Sequence, residues 1–208
     1  MAEIWLASGN KKKRAELERI LAPLRVRLRT PDELPVPFAP VEDAPDFAGN
    51  AAIKARALAS MVRGVALADD SGLCVDVLGG RPGVHSARYG GPGLSDAERL
   101  QRLLDELVDV PDHGRGAYFL CSLCLCGPDG TILAAVTGRC DGVLLRSPRG
   151  RGGFGYDPAF VPRACFDGPG PPTFADLDPA RKDALSHRGQ ALRALLIRLQ
   201  AEPALLQP

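Results

Sequence analysis

The sequence predicts an α/β protein with a mixed central β-sheet flanked by helices. Short apolar runs of strand length recur along the chain, and segments with apolar residues at helical spacing lie between several of them. Other runs are joined by a hairpin-type turn at residues 128–130, which adds antiparallel pairing to the sheet. The 208 residues suffice for a sizeable core, and this length favours one domain or two closely packed lobes.

The first predicted element is a strand over residues 4–7, which is followed by a helix with apolar residues at positions 17, 20, 21 and 24. Residues 31–45, rich in proline and acidic side chains, are expected to form a loop. A second helix is predicted over residues 50–61 and a short buried strand over residues 65–68. The sequence Asp69-Asp70-Ser71-Gly72 is expected to form a turn that ends this strand.

The second half begins with a strand predicted over residues 73–78 and a glycine- and proline-rich loop over residues 79–93. Ser95, with Glu98 three residues later, predicts the start of a helix. Strands flank the turn at residues 128–130, and another strand is expected over residues 136–143. A second glycine-rich loop is expected over residues 150–155, and Pro179 is expected to begin the final helix.

Composition and charge narrow the possible partners. The formal net charge of +1 gives no overall field that would indicate nucleic acid or an anionic membrane as a partner. No apolar stretch approaches the roughly 18–20 residues that span a bilayer, and the first residues lack the pattern of a secretory signal. We therefore expect a cytoplasmic protein.

The six cysteines are expected to be buried thiols, because a cytoplasmic chain of this length does not need disulfides. A strand through Cys121, Cys124 and Cys126 directs these side chains to both of its faces, so the three cannot converge on one metal ion.

Two polar segments have the chemistry to bind phosphate and metal. Ser8-Gly9-Asn10-Lys11-Lys12-Lys13 lies at a strand-to-helix junction, where backbone N–H groups, the helix dipole and the lysine charges favour an anion. An asparagine N-cap followed by a solvated basic turn is the alternative. The adjacent carboxylates of Asp69-Asp70-Ser71-Gly72 suit a Mg²⁺ ion that also binds phosphate oxygens, whereas an ordinary turn is the simpler interpretation of this segment alone.

Two further segments have the chemistry to bind a planar base. In residues 150–158, glycines surround Phe154 and Tyr156, which suits a backbone that approaches a flat ligand while a ring stacks on it. A tight loop packed by its own two rings is the alternative. Lys182 and Ser186 are predicted to share a helical face, and His187 and Arg188 follow directly. The arginine disfavours protonation of His187, so a neutral imidazole would be available for a base edge; a polar patch on the last helix is the alternative.

In their order along the chain, six motifs resemble those of the non-canonical purine nucleoside triphosphate pyrophosphatases, the inosine/xanthosine triphosphatase family. The resemblance extends from about residue 4 to about residue 200. The six motifs are Leu6-Ala7-Ser8-Gly9-Asn10 with Lys13, Asn50-Ala51-Ala52-Ile53-Lys54-Ala55, Ala68-Asp69-Asp70-Ser71-Gly72-Leu73, Pro82-Gly83-Val84-His85-Ser86-Ala87-Arg88-Tyr89, Gly152-Gly153-Phe154-Gly155-Tyr156-Asp157-Pro158 and Ser186-His187-Arg188-Gly189. The resemblance implies a homodimer whose elongated, two-lobed α/β subunits (one domain over residues 1–208) have a cleft between the lobes. It also implies hydrolysis of ITP, dITP and XTP to the monophosphate and pyrophosphate.

The resemblance also assigns roles by position. It implies a phosphate-binding loop at Ser8, Gly9, Asn10, Lys11, Lys12 and Lys13. Asp70 matches the general base and metal ligand, with Asp69 beside it as a supporting catalytic residue, and Ser71 matches a substrate contact. Phe154, Gly155, Tyr156 and Asp157 match the base-binding loop, and Lys182, His187 and Arg188 match the purine-recognition set.

This sequence departs from the family pattern before the second helix. Gly49 stands where the family has an acid, and the usual acidic pair is reduced to Glu42 followed by Asp43. With Asp70 as the ligand that the resemblance implies, Glu42 is the candidate for the second carboxylate that binds the Mg²⁺ cofactor. Asp70 or its neighbour Asp69 is expected to activate a water for attack on the α-phosphorus. A pyrophosphatase of modified pyrimidine triphosphates and a non-catalytic nucleotide-binding module are the alternative functions.

Overall fold

The computed structural model describes residues 2–167 and 169–206. Within these residues six strands form one sheet: β1 (Glu3–Leu6), β2 (Arg27–Arg29), β3 (Ala66–Val75), β4 (Gly116–Cys126), β5 (Ile132–Leu144) and β6 (Phe160–Pro162). Their order in the sheet is β2-β1-β3-β4-β5-β6. β1 pairs in parallel with both β2 and β3, and β5 pairs antiparallel with β6. The predicted α/β class with a mixed sheet is confirmed.

The described part of the chain contains five α-helices: α1 (Lys11–Leu21), α2 (Phe47–Val62), α3 (Asp96–Glu106), α4 (Pro179–Leu185) and α5 (His187–Ala201). Polar side chains before the helices fix where they begin, because Asn10, Asp46 and Ser95 accept hydrogen bonds from backbone N–H groups in the first turns of α1, α2 and α3. Ser95 and Glu98 form the predicted capping box. Among the described residues, no helix combines the length and apolar character needed to cross a membrane.

The chain divides into two compact units. The first contains the residues up to Asp70, residues Cys121–Gly138 and the chain from Arg188 onward; the second contains Ser71–Leu120 and Arg139–His187. In the first unit, apolar residues of β1 pack with leucines of α1 and α5. In the second unit, the leucines of α3 pack in one cluster with Phe119, Phe160 and Phe174.

The acidic segment lies within a strand, so the predicted turn at residues 69–72 is wrong. β3 runs without interruption from Ala66 to Val75, and its pairing with β1 places Leu67 opposite Leu6. The turn preference of Asp, Ser and Gly is overridden because both carboxylates find cationic partners inside the fold. Consequently, the two strands predicted on either side of this segment are joined in one strand, and the two aspartates do not follow the end of a strand. The strand predicted over residues 73–78 ends at Val75, because Asp76–Leu78 form a 3₁₀ helix.

The last predicted helix is in fact two helices. α4 ends at Leu185, Ser186 has an extended backbone with φ −70° and ψ 154°, and α5 begins at His187. Serine is favoured at helix starts, which explains a break at this residue. Lys182 and Ser186 therefore do not share a helical face as predicted.

Two other boundaries also differ. The strand predicted over residues 136–143 is the second half of β5. α2 begins at Phe47, earlier than predicted, because Asp46 caps it by accepting the Gly49 N–H at 2.7 Å.

The six cysteines are free, buried thiols, as predicted. Cys121 lies in one core cluster of the first unit, whereas Cys124 and Cys126 lie in another, on the opposite face of β4. Burial raises the pKa of Cys121 and of Cys124 to about 12. These thiols pack as small apolar groups.

Candidate functional site

The loop from β1 to α1 carries the predicted phosphate-binding residues. Asn10 caps α1: its Oδ1 accepts the N–H groups of Lys12 at 3.0 Å and Lys13 at 3.2 Å. This cap engages two N–H groups that a bound anion could otherwise use, so the positive charge of the loop comes mainly from the lysine side chains. A cavity of about 310 Å³ beside the cap is lined by Ser8, Gly9, Asn10, Lys11, Arg14, Glu18, Thr30 and Asp32.

Asp69 lies at the centre of a buried charge network in the first unit. Its Oδ1 accepts a hydrogen bond from Lys13 Nζ at 3.1 Å, and its Oδ2 accepts one from Arg188 Nε at 3.1 Å. Arg188 also donates from Nη1 to Glu16 Oε2 at 2.5 Å. Burial by itself raises the pKa of Asp69, but the charges of Lys13 and Arg188 outweigh it and hold that pKa well below its usual range. Asp69 is therefore ionised, and each of its oxygens is bound to a cation.

Asp70 projects from the opposite face of β3, because successive side chains of a strand alternate. Its Oδ1 accepts a hydrogen bond from Lys54 Nζ at 3.0 Å, and the same ammonium lies 2.8 Å from Glu42 Oε2. The other oxygen, Asp70 Oδ2, is buried and has no hydrogen-bond partner among the described residues. Burial raises the pKa of Asp70, and the charge of Lys54 offsets only part of this rise. Asp70 thus has one oxygen held by Lys54 and one available to a ligand.

The structure brings the two predicted metal ligands, Asp70 and Glu42, together on the ammonium of Lys54. Within the described residues, no group of three or more His, Cys, Asp or Glu side chains is arranged to hold a metal ion. Mg²⁺ commonly binds to only one or two carboxylates, with waters and substrate phosphates completing its coordination. A pair of carboxylates with one unpartnered oxygen fits that requirement.

In the second unit, Asp157 organises the glycine-rich segment. Its Oδ2 accepts the Phe154 N–H at 2.8 Å and a hydrogen bond from Lys182 Nζ at 2.7 Å. The Lys182 ammonium also lies 4.5 Å from the centroid of the Phe154 ring, within range of a cation–π interaction. A Cβ at Gly153 would lie 2.3 Å from Asp157 Oδ2, so this close approach requires glycine. Phe154, Asp157 and Lys182 therefore form one cluster.

The other predicted base-binding residues are held differently. Tyr156 is only 5% exposed, and its hydroxyl donates to the backbone carbonyl of Ser86 at 2.9 Å. The Gly155 N–H donates to Asp96 Oδ2 at 3.0 Å, at the start of α3. The imidazole of His187 stacks on Phe119, with ring centroids 4.7 Å apart and planes at 8°. Both Tyr156 and His187 are packed inside the second unit.

The predicted site residues are divided between the two units. The first contains Ser8 to Lys13, Glu42, Asp69, Asp70 and Arg188, and the second contains Ser71, Phe154 to Asp157, Lys182 and His187. Lys54 and Glu16 are not among the predicted site residues, although both contact residues that are. A signal for Lys54 was present, since helical spacing places it on the same face as Ala51, Ala55 and Leu58, all of which are buried.

Local packing explains the glycine at the position where the family has an acid. A Cβ at Gly49 would lie 2.6 Å from the Cβ of Ala44 and 3.3 Å from Asp46 Oδ1. The segment before α2 therefore approaches too closely for a side chain at residue 49.

Comparison with known proteins gives a consistent result. The model of the Ham1 family matches residues 4–198. A dITP/XTP pyrophosphatase of Cutibacterium acnes is 46% identical over 198 residues, covering 94% of this chain and 95% of that protein. One from Nocardia farcinica is 47% identical over 208 residues, covering 97% of this chain and 96% of that protein. A solved HAM1 protein from Coxiella burnetii superposes with a TM-score of 0.86 at 41% identity, covering 97% of this chain and 100% of that one. On the match of the family model and on these near-full-length relatives, the chain belongs to the Ham1 family.

Proposed function

We propose that this protein hydrolyses non-canonical purine nucleoside triphosphates, namely ITP, dITP and XTP, to the monophosphate and pyrophosphate. Relatives that align with nearly the whole chain carry the name dITP/XTP pyrophosphatase. The observation that carries the proposal is the arrangement of Asp70, Lys54 and Glu42, in which a buried carboxylate oxygen remains without a partner beside a second carboxylate. A purely structural ion pair would not require that unpartnered oxygen.

Asp70 rather than Asp69 is the proposed general base. Asp69 has a lowered pKa and a cation on each oxygen, so it accepts a proton poorly. Asp70 has a raised pKa and one oxygen available to take a proton from the attacking water. Asp69 instead orients the ammonium of Lys13, and we assign Lys13 to stabilise the negative charge of the departing pyrophosphate.

Asp70 and Glu42 would hold the Mg²⁺ ion, which when bound neutralises charge on the triphosphate. Lys54 keeps these two carboxylates together and supplies a further positive charge near them. Ser8 to Lys13 would bind the phosphates, with Lys11 and Lys12 adding exposed charges at the start of α1.

We assign the base to Phe154, Lys182, His187 and Arg188, which the family resemblance matches to base binding and purine recognition. The Phe154 ring offers a stacking surface, and Lys182, His187 and Arg188 supply hydrogen-bond donors. A 6-oxo purine presents an acceptor to such donors, whereas the amino group of adenine would leave donors unpaired. As the family resemblance implies, we also propose a homodimer that acts in the cytoplasm.

Pyrophosphate release tests the proposal. ITP and XTP are expected to be hydrolysed only with a divalent cation and much faster than ATP or dUTP. Asp70→Asn should lower kcat/KM for ITP by at least about 100-fold, whereas Asp43→Asn, a change at an exposed neighbouring carboxylate, should leave it unchanged. Equal rates on ITP and on modified pyrimidine triphosphates would refute the purine assignment, and absence of pyrophosphate release would indicate a non-catalytic nucleotide-binding module.

A further inference from the structure

One motif shared with the family has no part in the proposed chemistry. Residues 82–89 include a 3₁₀ helix over Gly83–Arg88, which lies in the second unit. Ser86 within it is 7% exposed. Its hydroxyl donates to the Gly83 carbonyl at 2.6 Å and accepts the Leu73 N–H at 2.9 Å. Leu73 belongs to β3 and follows Asp70 by three positions.

The backbone of Ser86 makes a further hydrogen bond, to the side chain of Tyr156. Its backbone carbonyl accepts the hydroxyl of Tyr156 at 2.9 Å, and Tyr156 lies between Gly155 and Asp157 in the proposed base-binding loop. Leu73, Ser86 and Tyr156 are all buried. A continuous series of hydrogen bonds therefore runs from the backbone of β3, through Ser86, to the loop.

Gly72 makes this connection tight. A Cβ at Gly72 would lie 2.3 Å from Ser86 Oγ and 2.6 Å from the Gly83 carbonyl, so β3 and the 3₁₀ helix meet at a separation that excludes any side chain. The glycine-rich loop that contains Tyr156 includes Gly150, Gly153 and Gly155, all at positive φ. Glycines leave a chain with many conformations, and an anchor that restricts them lowers the entropic cost of binding a ligand there.

We propose that Ser86 and Tyr156 are positioning residues that fix the base-binding loop to β3 and thereby set the affinity for the purine base. Tyr156 acts on the base through the position of its loop, since its hydroxyl is bonded to Ser86 and its ring is packed in the core of the unit. This inference rests on the proposed function, in which Phe154 to Asp157 bind the base.

The test compares Tyr156→Phe and Ser86→Ala with wild type, using IMP as the probe of the base site and pyrophosphate as the probe of the phosphate site. Each variant removes only one hydroxyl group from the series of hydrogen bonds that joins Leu73, Ser86 and Tyr156. Tyr156→Phe removes one buried hydrogen bond, and Ser86→Ala removes the bonds of the Ser86 hydroxyl to Leu73 and Gly83. The Kd for IMP should therefore rise about 3- to 10-fold in each variant, while the Kd for pyrophosphate stays within about twofold. In steady-state hydrolysis of ITP, KM should rise more than kcat falls. The double variant should lose less than the product of the two single losses, because both changes break one connection.

Ser122→Ala is the matched control. Ser122 is also buried, but it lies in the first unit, and its hydroxyl pairs with the hydroxyl of Thr137 at 3.2 Å. This variant is expected to bind IMP as wild type does.

An unchanged Kd for IMP in Tyr156→Phe overturns the inference, as does equal weakening of IMP and pyrophosphate, which would indicate general loosening of the protein. In both of these outcomes wild type still hydrolyses ITP, so the proposed function stands. A wild-type protein that neither binds IMP nor releases pyrophosphate from ITP overturns the proposed function and this inference together.

Discussion

The buried network around Arg188 makes a strong prediction about stability. Arg188→Met keeps a long apolar side chain but removes the guanidinium that Asp69 and Glu16 share. All three residues are buried, with Arg188 and Asp69 each 3% exposed, so water compensates little for the lost charge. Removing one partner of a buried ion pair costs about 3–5 kcal/mol. Since folded domains are stable by about 5–15 kcal/mol, the loss should be a large fraction of the total.

The assay is urea unfolding, followed through the fluorescence of the single tryptophan, Trp5, which is buried in β1. The control, Arg198→Met, lies in the same helix. Arg198 pairs with Glu202 at 3.6 Å, and these side chains are 48% and 52% exposed. An exposed pair at this spacing contributes only about 0.3–0.5 kcal/mol. Equal losses in the two variants, or a loss below about 1 kcal/mol in Arg188→Met, would refute the assignment of a stabilising buried network.

The effect of pH provides a second check on the same variant. Burial tends to raise the pKa of Asp69, but Lys13 and Arg188 lower it overall. The ionised carboxylate therefore stabilises the fold above its unfolded pKa, and this contribution is lost as the pH falls through the folded pKa. Without Arg188 the folded pKa rises, so protonation relieves the buried charge at a higher pH. The stability difference between wild type and variant should be greatest near neutral pH and shrink below about pH 4.

Three further predictions follow from the site and the core. Lys54→Met removes the charge that restrains the pKa of Asp70, so the acidic limb of the kcat/KM profile for ITP should move to higher pH; an unmoved limb would contradict the role of Asp70 as base. Gly72→Ala should destabilise the protein by about 1–3 kcal/mol through overpacking against Ser86; Gly64→Ala, which meets only ordinary contacts, should cost less, and equal unfolding midpoints would argue against the close approach. The six buried thiols should react with a disulfide reagent only after denaturation, and rapid reaction of even one in the native protein would show that burial does not protect it.

Local chemistry was sufficient to predict much of the fold. Asparagine and serine are favoured N-cap residues, and α1 and α3 begin directly after Asn10 and Ser95. The leucines at positions 100, 103, 104 and 107 recur at helical spacing, and all four lie in the core. The glycine turn near Gly130, which has φ 82°, indicated the connection between β4 and β5. In each case the deciding interaction lies within a few residues along the chain.

The order of motifs along the chain also determined the family without any structure. Residues 4–198 match the Ham1 model, and the six motifs that indicated this lie within about the same span. A single motif such as Asp69-Asp70-Ser71-Gly72 favoured an ordinary turn by itself. Several motifs in a fixed order identify a family far more specifically than any one of them does, because an unrelated chain would have to match all of them in that order.

The tertiary structure alone decided how the acidic pair is used. The sequence established that two carboxylates are adjacent, but it could not assign each one a partner. Lys13 is 56 positions from Asp69, Arg188 is 119 positions from it, and Lys54 is 16 positions from Asp70. These cations reach the pair only because α1, α5 and α2 pack around β3. This packing also favours a strand at residues 69–72 over a turn. A strand places the neighbouring side chains of Asp69 and Asp70 on opposite faces, so each carboxylate has its own cationic partners.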